Sequence, residues 1–275
     1  MRSICLAALI PALAFAAGPL TVVKPVISQF DDGIADPPGF EHIPGETIHF
    51  ACRVANFATT EDAKYHLAYS VQPFDPKGVP LVEIYKNEVT DEISPQDKNW
   101  LPKIDTEMVI PPLVRSGTYK IVVKVEDLVA KTTAQLEVPF EVRGHAPEPS
   151  AQLVVRDFRF FADENATRPL EKAVYHPGAS VWAKFDITGF KYGAGNKIDV
   201  SYVTSLVAAS GRVLWTQPEP AAEQSESFYP KSYITADFGI NLANNIRPGE
   251  YSIVVAVKDA VGGQSYETKQ TFTVE

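Results

Sequence analysis

The chain is poor in cysteine, and after its first residues it has no apolar run long enough to cross a membrane. Of two cysteines in 275 residues, Cys5 lies at the extreme N-terminus. If that segment is removed on export, Cys52 is left alone. No internal disulfide can then staple the fold, and packed apolar cores must stabilise it. Basic runs are missing as well. Lys and Arg number 25 against 34 Asp and Glu, a net charge of −9. That balance argues against nucleic acid or an anionic membrane surface as a partner. No G-x-S-x-G, S-x-x-K, H-E-x-x-H or nucleotide-binding glycine loop occurs. Nucleophilic, metalloprotease and nucleotide chemistry therefore have no motif behind them. Carboxylate pairs of the glycosidase kind need only meet in space, so the sequence leaves them open. The expectation is a protein that is not an enzyme and holds no cofactor.

What is present begins with a leader. Arg2 is followed by an apolar run from Ile4 to Phe15, broken by Pro11, and by the small-x-small pattern Ala14-Phe15-Ala16. This predicts a secretory signal over 1–16 with cleavage after Ala16. The run is short for a membrane span, and Cys5 is not placed as a lipoprotein cysteine. A secreted or periplasmic protein with no lipid anchor is expected.

The rest of the chain says nearly the same thing twice. "RSGTYKIVVKVED" from Arg115 to Asp127 is matched by "RPGEYSIVVAVKD" from Arg247 to Asp259. Pro44-Gly45 matches Pro177-Gly178, Lys64 matches Lys197, Tyr69 matches Tyr202 and Gly78 matches Gly211, all at an offset of 133. A constant offset this long means two copies of one domain, each with its own core. The join is "RGHAPEPS", whose Pro147 and Pro149 favour an extended spacer. Boundaries of 17–146 and 147–275 follow.

Both copies read as strands. Ile48, Phe50, Cys52 and Val54 alternate with His49, Ala51 and Arg53, and Val181, Ala183, Phe185 and Ile187 repeat that period of two. "TYKIVVKV" and "EYSIVVAV" are rich in β-branched residues. Pro and Gly punctuate too often for a long helix. Gly-x-Tyr ahead of the penultimate strand resembles the tyrosine corner of immunoglobulin-like sandwiches. With V-x-V-x-D, a turn and a final F-x-V strand, it is similar to the end of PKD-like and other bacterial Ig-like modules. The resemblance implies an all-β fold of two tandem Ig-like antiparallel β-sandwich domains. It also implies that the Tyr119 and Tyr251 hydroxyls bond backbone a few residues upstream.

Candidate sites are few. Copy two places Phe185 where copy one has Cys52, so Cys52 reads as a core thiol; a reactive or intermolecular cysteine is the other reading. His42, His49, His66, His145 and His176 form no ligand motif and read as surface residues. Asp127 and Asp259 end the repeated strands. They read as acceptors for the N–H groups of the following turn, with calcium ligation as the alternative. Asn165-Ala166-Thr167 is a glycosylation sequon. The aromatics are the most suggestive feature. Trp182 falls on the outward parity, Trp215 stands where copy one has Val82, and Trp100 lies in a loop. Such side chains stack on sugar rings or anchor protein contacts, or they pack under loops or against the other domain. The favoured function is a non-catalytic secreted binding or structural protein working through sheet faces and loops. The alternatives are a carbohydrate-binding protein using Trp182, Trp215 and Trp100, and an inhibitor or accessory protein presenting loops to an enzyme.

Overall fold

The computed structural model describes residues 18–275 apart from Pro95 and Lys98; the signal peptide, its cleavage site and Cys5 lie outside the described residues. The fold is all-β. The first half contains β1 (Thr21–Ser28), β2 (Glu41–His42), β3 (Thr47–Ala55), β4 (Lys64–Phe74), β5 (Tyr85–Glu92), β6 (Lys103–Val109), β7 (Gly117–Asp127) and β8 (Thr132–Val142). The second contains β9 (Val154–Phe161), β10 (Val174–Tyr175), β11 (Ser180–Thr188), β12 (Ile198–Ala208), β13 (Val213–Thr216), β14 (Ala221–Ser225), β15 (Ile234–Asn241), β16 (Gly249–Asp259) and β17 (Gln264–Val274). A single 3₁₀ turn, Ala194–Asn196, is the only helical element among the described residues.

In the first half, a β1-β3-β6 sheet faces a β2-β8-β7-β4-β5 sheet. In the second, β15-β11-β9 faces β10-β17-β16-β12-β13, with β14 also paired to β12. Pairing is antiparallel except where β2 and β10 run parallel to β8 and β17. Each half buries its own apolar core between its two sheets. The inward rows expected from the pattern are there: Ile121, Val123 and Val125, and Ile253, Val255 and Val257, are all buried. Period-two alternation puts them on one face, and burying that face drives the sheets together.

The repeat holds down to backbone torsions. A bulge with positive φ sits at Lys24 in β1 and at Asp157 in β9. Positive φ also recurs at Gly45 and Gly178, Asn56 and Gly189, Ala63 and Asn196, Gly78 and Gly211, and Lys131 and Gly263. The Tyr119 hydroxyl donates to the Arg115 carbonyl at 2.8 Å, and Tyr251 donates to Arg247 at 2.7 Å. Both phenols are buried.

The halves meet end to end through polar contacts. The Tyr229 hydroxyl donates to Asp75 Oδ2 at 3.0 Å, while its ring packs against the first core. Arg115 Nε donates to Ser232 Oγ at 3.3 Å. His145, in the connecting segment, lies with Nε2 2.5 Å from Asp186 Oδ2 and its ring edge-on to Tyr233. The aromatics at this junction are thus tyrosines, and Trp182 and Trp215 lie elsewhere.

Candidate functional site

The three tryptophans are dispersed. Trp182 does point away from the core, as its parity requires, but its surface is spent on a neighbour. It pairs across the strand with Gly239, and a Cβ built on Gly239 would lie only 2.6 Å from the indole. The ring covers the backbone that glycine leaves bare, which stabilises a strand position otherwise without packing. Trp100 sits in its loop with the ring centroid 5.5 Å from that of Tyr65, as a cover on the first core. Trp100 nonetheless keeps 42% of its surface exposed; Trp215 differs from it in lying on an exposed apolar edge beside a cleft.

Trp215 lies on β13, an edge strand paired only with β12. Val213, Leu214 and Trp215 are 57%, 38% and 38% exposed. Three consecutive exposed apolar residues on an edge are a liability unless a function keeps them there. Beside them opens a cleft of about 850 Å³, bounded by the β12–β13 hairpin and by the loop after β15. Its polar lining is Arg212, Arg247, Asn241 and Asn245, with no carboxylate. In a chain of net charge −9, this is a locally positive hollow. Its Tyr251 hydroxyl is already bonded to the Arg247 carbonyl. The arrangement can stack a flat or ring-shaped ligand on the indole and pair an anionic group with a guanidinium. Trp215 is legible in the sequence as a candidate, whereas the two arginines are not. Arg247 belongs to the repeated R-x-G-x-Y, and Arg212 lies beside the hairpin Gly211, yet only folding brings them together.

Asp127 is fully buried, and its carboxylate accepts from the N–H groups of Ala58, Val129 and Ala130 at 2.6, 2.8 and 3.0 Å. Asp259 accepts from the N–H groups of Lys191 and Gly262, both at 2.9 Å, and from Gln264 Nε2 at 3.1 Å. Both carboxylates latch the β7–β8 or β16–β17 turn to the loop after β3 or β11, and their lone pairs face protein donors. Cys52 is buried, and burial pushes its thiol up to about 12. His49 and His66 lie on strands of opposite sheets, as expected; His66 meets Glu88 at 2.9 Å.

His42 corrects the surface reading. It is buried, 3.3 Å from Asp36 and 3.4 Å from Glu46, with Phe40 and Phe140 against its ring. Tyr175 takes the same place in the second half and donates to the Phe161 carbonyl. Position 42 faces the core because β2 lies beside β8, a parallel pairing that a two-residue strand does not advertise in sequence. Asn165 of the sequon is exposed, in a turn whose N–H bonds Asp163.

Among the described residues, no helix is long and apolar enough to cross a membrane. No family model matches the chain, and no curated protein matches it. Among solved structures, it is similar to the C-terminal domain of the Streptococcus agalactiae AgI/II polypeptide BspA. That likeness has a TM-score of 0.31 and 12% identity, over 94% of this chain and 100% of the other. A family 123 glycoside hydrolase from Clostridium perfringens, whose title concerns glycolipid glycan hydrolysis, gives a TM-score of 0.30 and 14% identity. It covers 45% of this chain and 27% of the enzyme.

Proposed function

We propose that this chain is a non-catalytic, exported binding protein built of two tandem Ig-like sandwiches, and that its ligand site is the cleft beside Trp215. The single observation behind the site is the conjunction on one edge of an exposed Val213-Leu214-Trp215 run with two arginines and no carboxylate. The ligand class this fits best is an acidic carbohydrate, with a sugar ring on the indole and its carboxylate or sulfate on Arg212 or Arg247. Arginine, asparagine and aliphatic side chains suit holding a ligand more than transforming it. The tandem Ig-like reading is supported by the two cores, the paired tyrosine corners and the six matched positive-φ positions, the β1 and β9 bulges among them.

A glycan array with neutral and acidic oligosaccharides tests this reading. Wild-type protein should retain acidic glycans, and Trp215→Ala and Arg247→Ala should each abolish retention with unchanged melting. Retention that survives both changes, or none on any glycan, would overturn it. A second reading rests on the loop between β1 and β2, where Phe30 and Ile34 are 73% and 92% exposed. Such a loop suits an accessory or inhibitory contact with a protein. Loss of a protein partner on Phe30→Ser and Ile34→Ser, with glycan retention absent, would favour it.

A further inference from the structure

We propose a divalent transition-metal site at the junction, formed by His145, Asp157 and Asp186. One ligand atom from each of these three side chains lies within 4.8 Å of the other two. The elements that bring them together are independent: His145 comes from the connecting segment, Asp157 from the bulge in β9 and Asp186 from β11. Asp186 is only 4% exposed, and its other oxygen accepts from Thr235 Oγ1 at 3.1 Å, which fixes the carboxylate. The edge-on Tyr233 ring fixes the imidazole in turn.

A second observation points to a ligand here. The Thr188 hydroxyl lies two residues along the same face of β11, is 1% exposed and has no hydrogen-bond partner. Arg156, the cross-strand partner of Asp186, directs its guanidinium to Glu148 at 3.6 Å. Buried polar atoms are nearly always paired, so an unpaired hydroxyl beside a buried carboxylate marks a place where hydrogen-bonding matter belongs. A water carried by a bound ion would supply it.

The first half provides the contrast. At the offset of 133, Lys24 stands for Asp157 and Arg53 for Asp186. The same bulge and the same strand position thus carry cations in one half and anions in the other, so at these matched positions the anionic ligands belong to the second half. One imidazole with two carboxylates suits zinc or manganese better than calcium, which prefers six or more oxygens. An ion bridging Nε2 and Oδ2, now in direct contact at 2.5 Å, would tie the connecting segment to the second half and stiffen the junction.

Zinc titration of the tag-free full chain, by calorimetry and by a competing chelating indicator, is the test. One equivalent should bind and raise the melting temperature. His145→Ala and Asp157→Ala, both at exposed side chains, should each weaken uptake by more than about ten-fold, the lower limit for disturbing even a ligand-orienting group. His66→Ala should leave it unchanged. No saturable uptake, or uptake that survives both ligand changes, would overturn the proposal.

Discussion

Replacing Asp127 with alanine is the sharpest test of how the end of the first core is held closed. The Asp127 carboxylate accepts three backbone N–H groups, from Ala58, Val129 and Ala130. These belong to two loops that start from opposite sheets, so the residue is a clasp across the end of the first core. Alanine leaves three part-buried donors facing a side chain that cannot accept. At about 1–2 kcal/mol for each stranded donor, the loss should be about 3–6 kcal/mol. A domain's whole stability is about 5–15 kcal/mol, so this is a large fraction of it. The melting transition of the first half should fall by at least about 10 °C. Scanning calorimetry resolves this if the halves melt separately. Asp259→Ala should produce the corresponding fall in the other transition, since its carboxylate holds Lys191, Gly262 and Gln264. A calcium ligand would behave differently: chelator would lower the wild-type transition, and added calcium would raise it. A fall below about 3 °C in both variants, or a calcium-dependent wild-type transition, would refute the clasp.

Four further outcomes are expected. Cys52 should resist alkylation in the native protein and react fully after denaturation, and Cys52→Ala should cost about 1–2 kcal/mol by urea unfolding. Tyr119→Phe and Tyr251→Phe keep the ring and strand one buried carbonyl, so each should cost about 1–3 kcal/mol, without effect on glycan retention. Burial holds the phenols of Tyr69, Tyr119 and Tyr175 up at about 12. Their contribution is fully present below the unfolded phenol value near 10 and is lost as pH rises toward 12, so phenolate absorbance and loss of far-ultraviolet signal should rise together there; phenolate forming earlier, with the fold intact, would contradict it. Finally, a 151–275 fragment should melt cooperatively on its own, because its core draws on residues of the second half alone; a broad melt would mean that the Tyr229 contact is needed for folding.

How much of this was legible in the sequence depends on the range of the signal. Strands β3, β7, β11 and β16 were legible because alternation and β-branching are local. The corner tyrosines and the latching aspartates were legible because both copies repeat them at one offset. The burial of His42 was not, since a two-residue strand has no period to read. The outward parity of Trp182 was legible, but not its task, because Gly239 lies 57 residues away in a strand of its own. The His145, Asp157 and Asp186 cluster was hidden for the same reason. No spacing rule links a connector, a bulge and a strand that meet only after the sheets close.

The two copies also show why the Trp215 end is the place to look for a ligand. The matching end of the first half is already occupied. There Asp75 and Arg115, which correspond to Ala208 and Arg247, receive Tyr229 and Ser232 of the second half. In the second half the same loops frame the open cleft, with Arg247 where Arg115 grips Ser232. The cleft lies at the far end of β15 from the junction, roughly 23 Å along the strand. An end that accepts a tyrosine and a polar side chain in one copy is, in the other, widened by Arg212 and floored by apolar residues. Where the copies agree, at the corners and clasps, the residues serve the backbone. Where they differ, at Val82 against Trp215 and Val79 against Arg212, the change adds an aromatic face and a positive charge to a surface that the fold already uses for gripping. Val79→Arg with Val82→Trp in the first half should therefore create no second glycan site, because Tyr229 and Ser232 fill that end. A doubling of bound glycan per chain in this variant would show that the junction opens in solution.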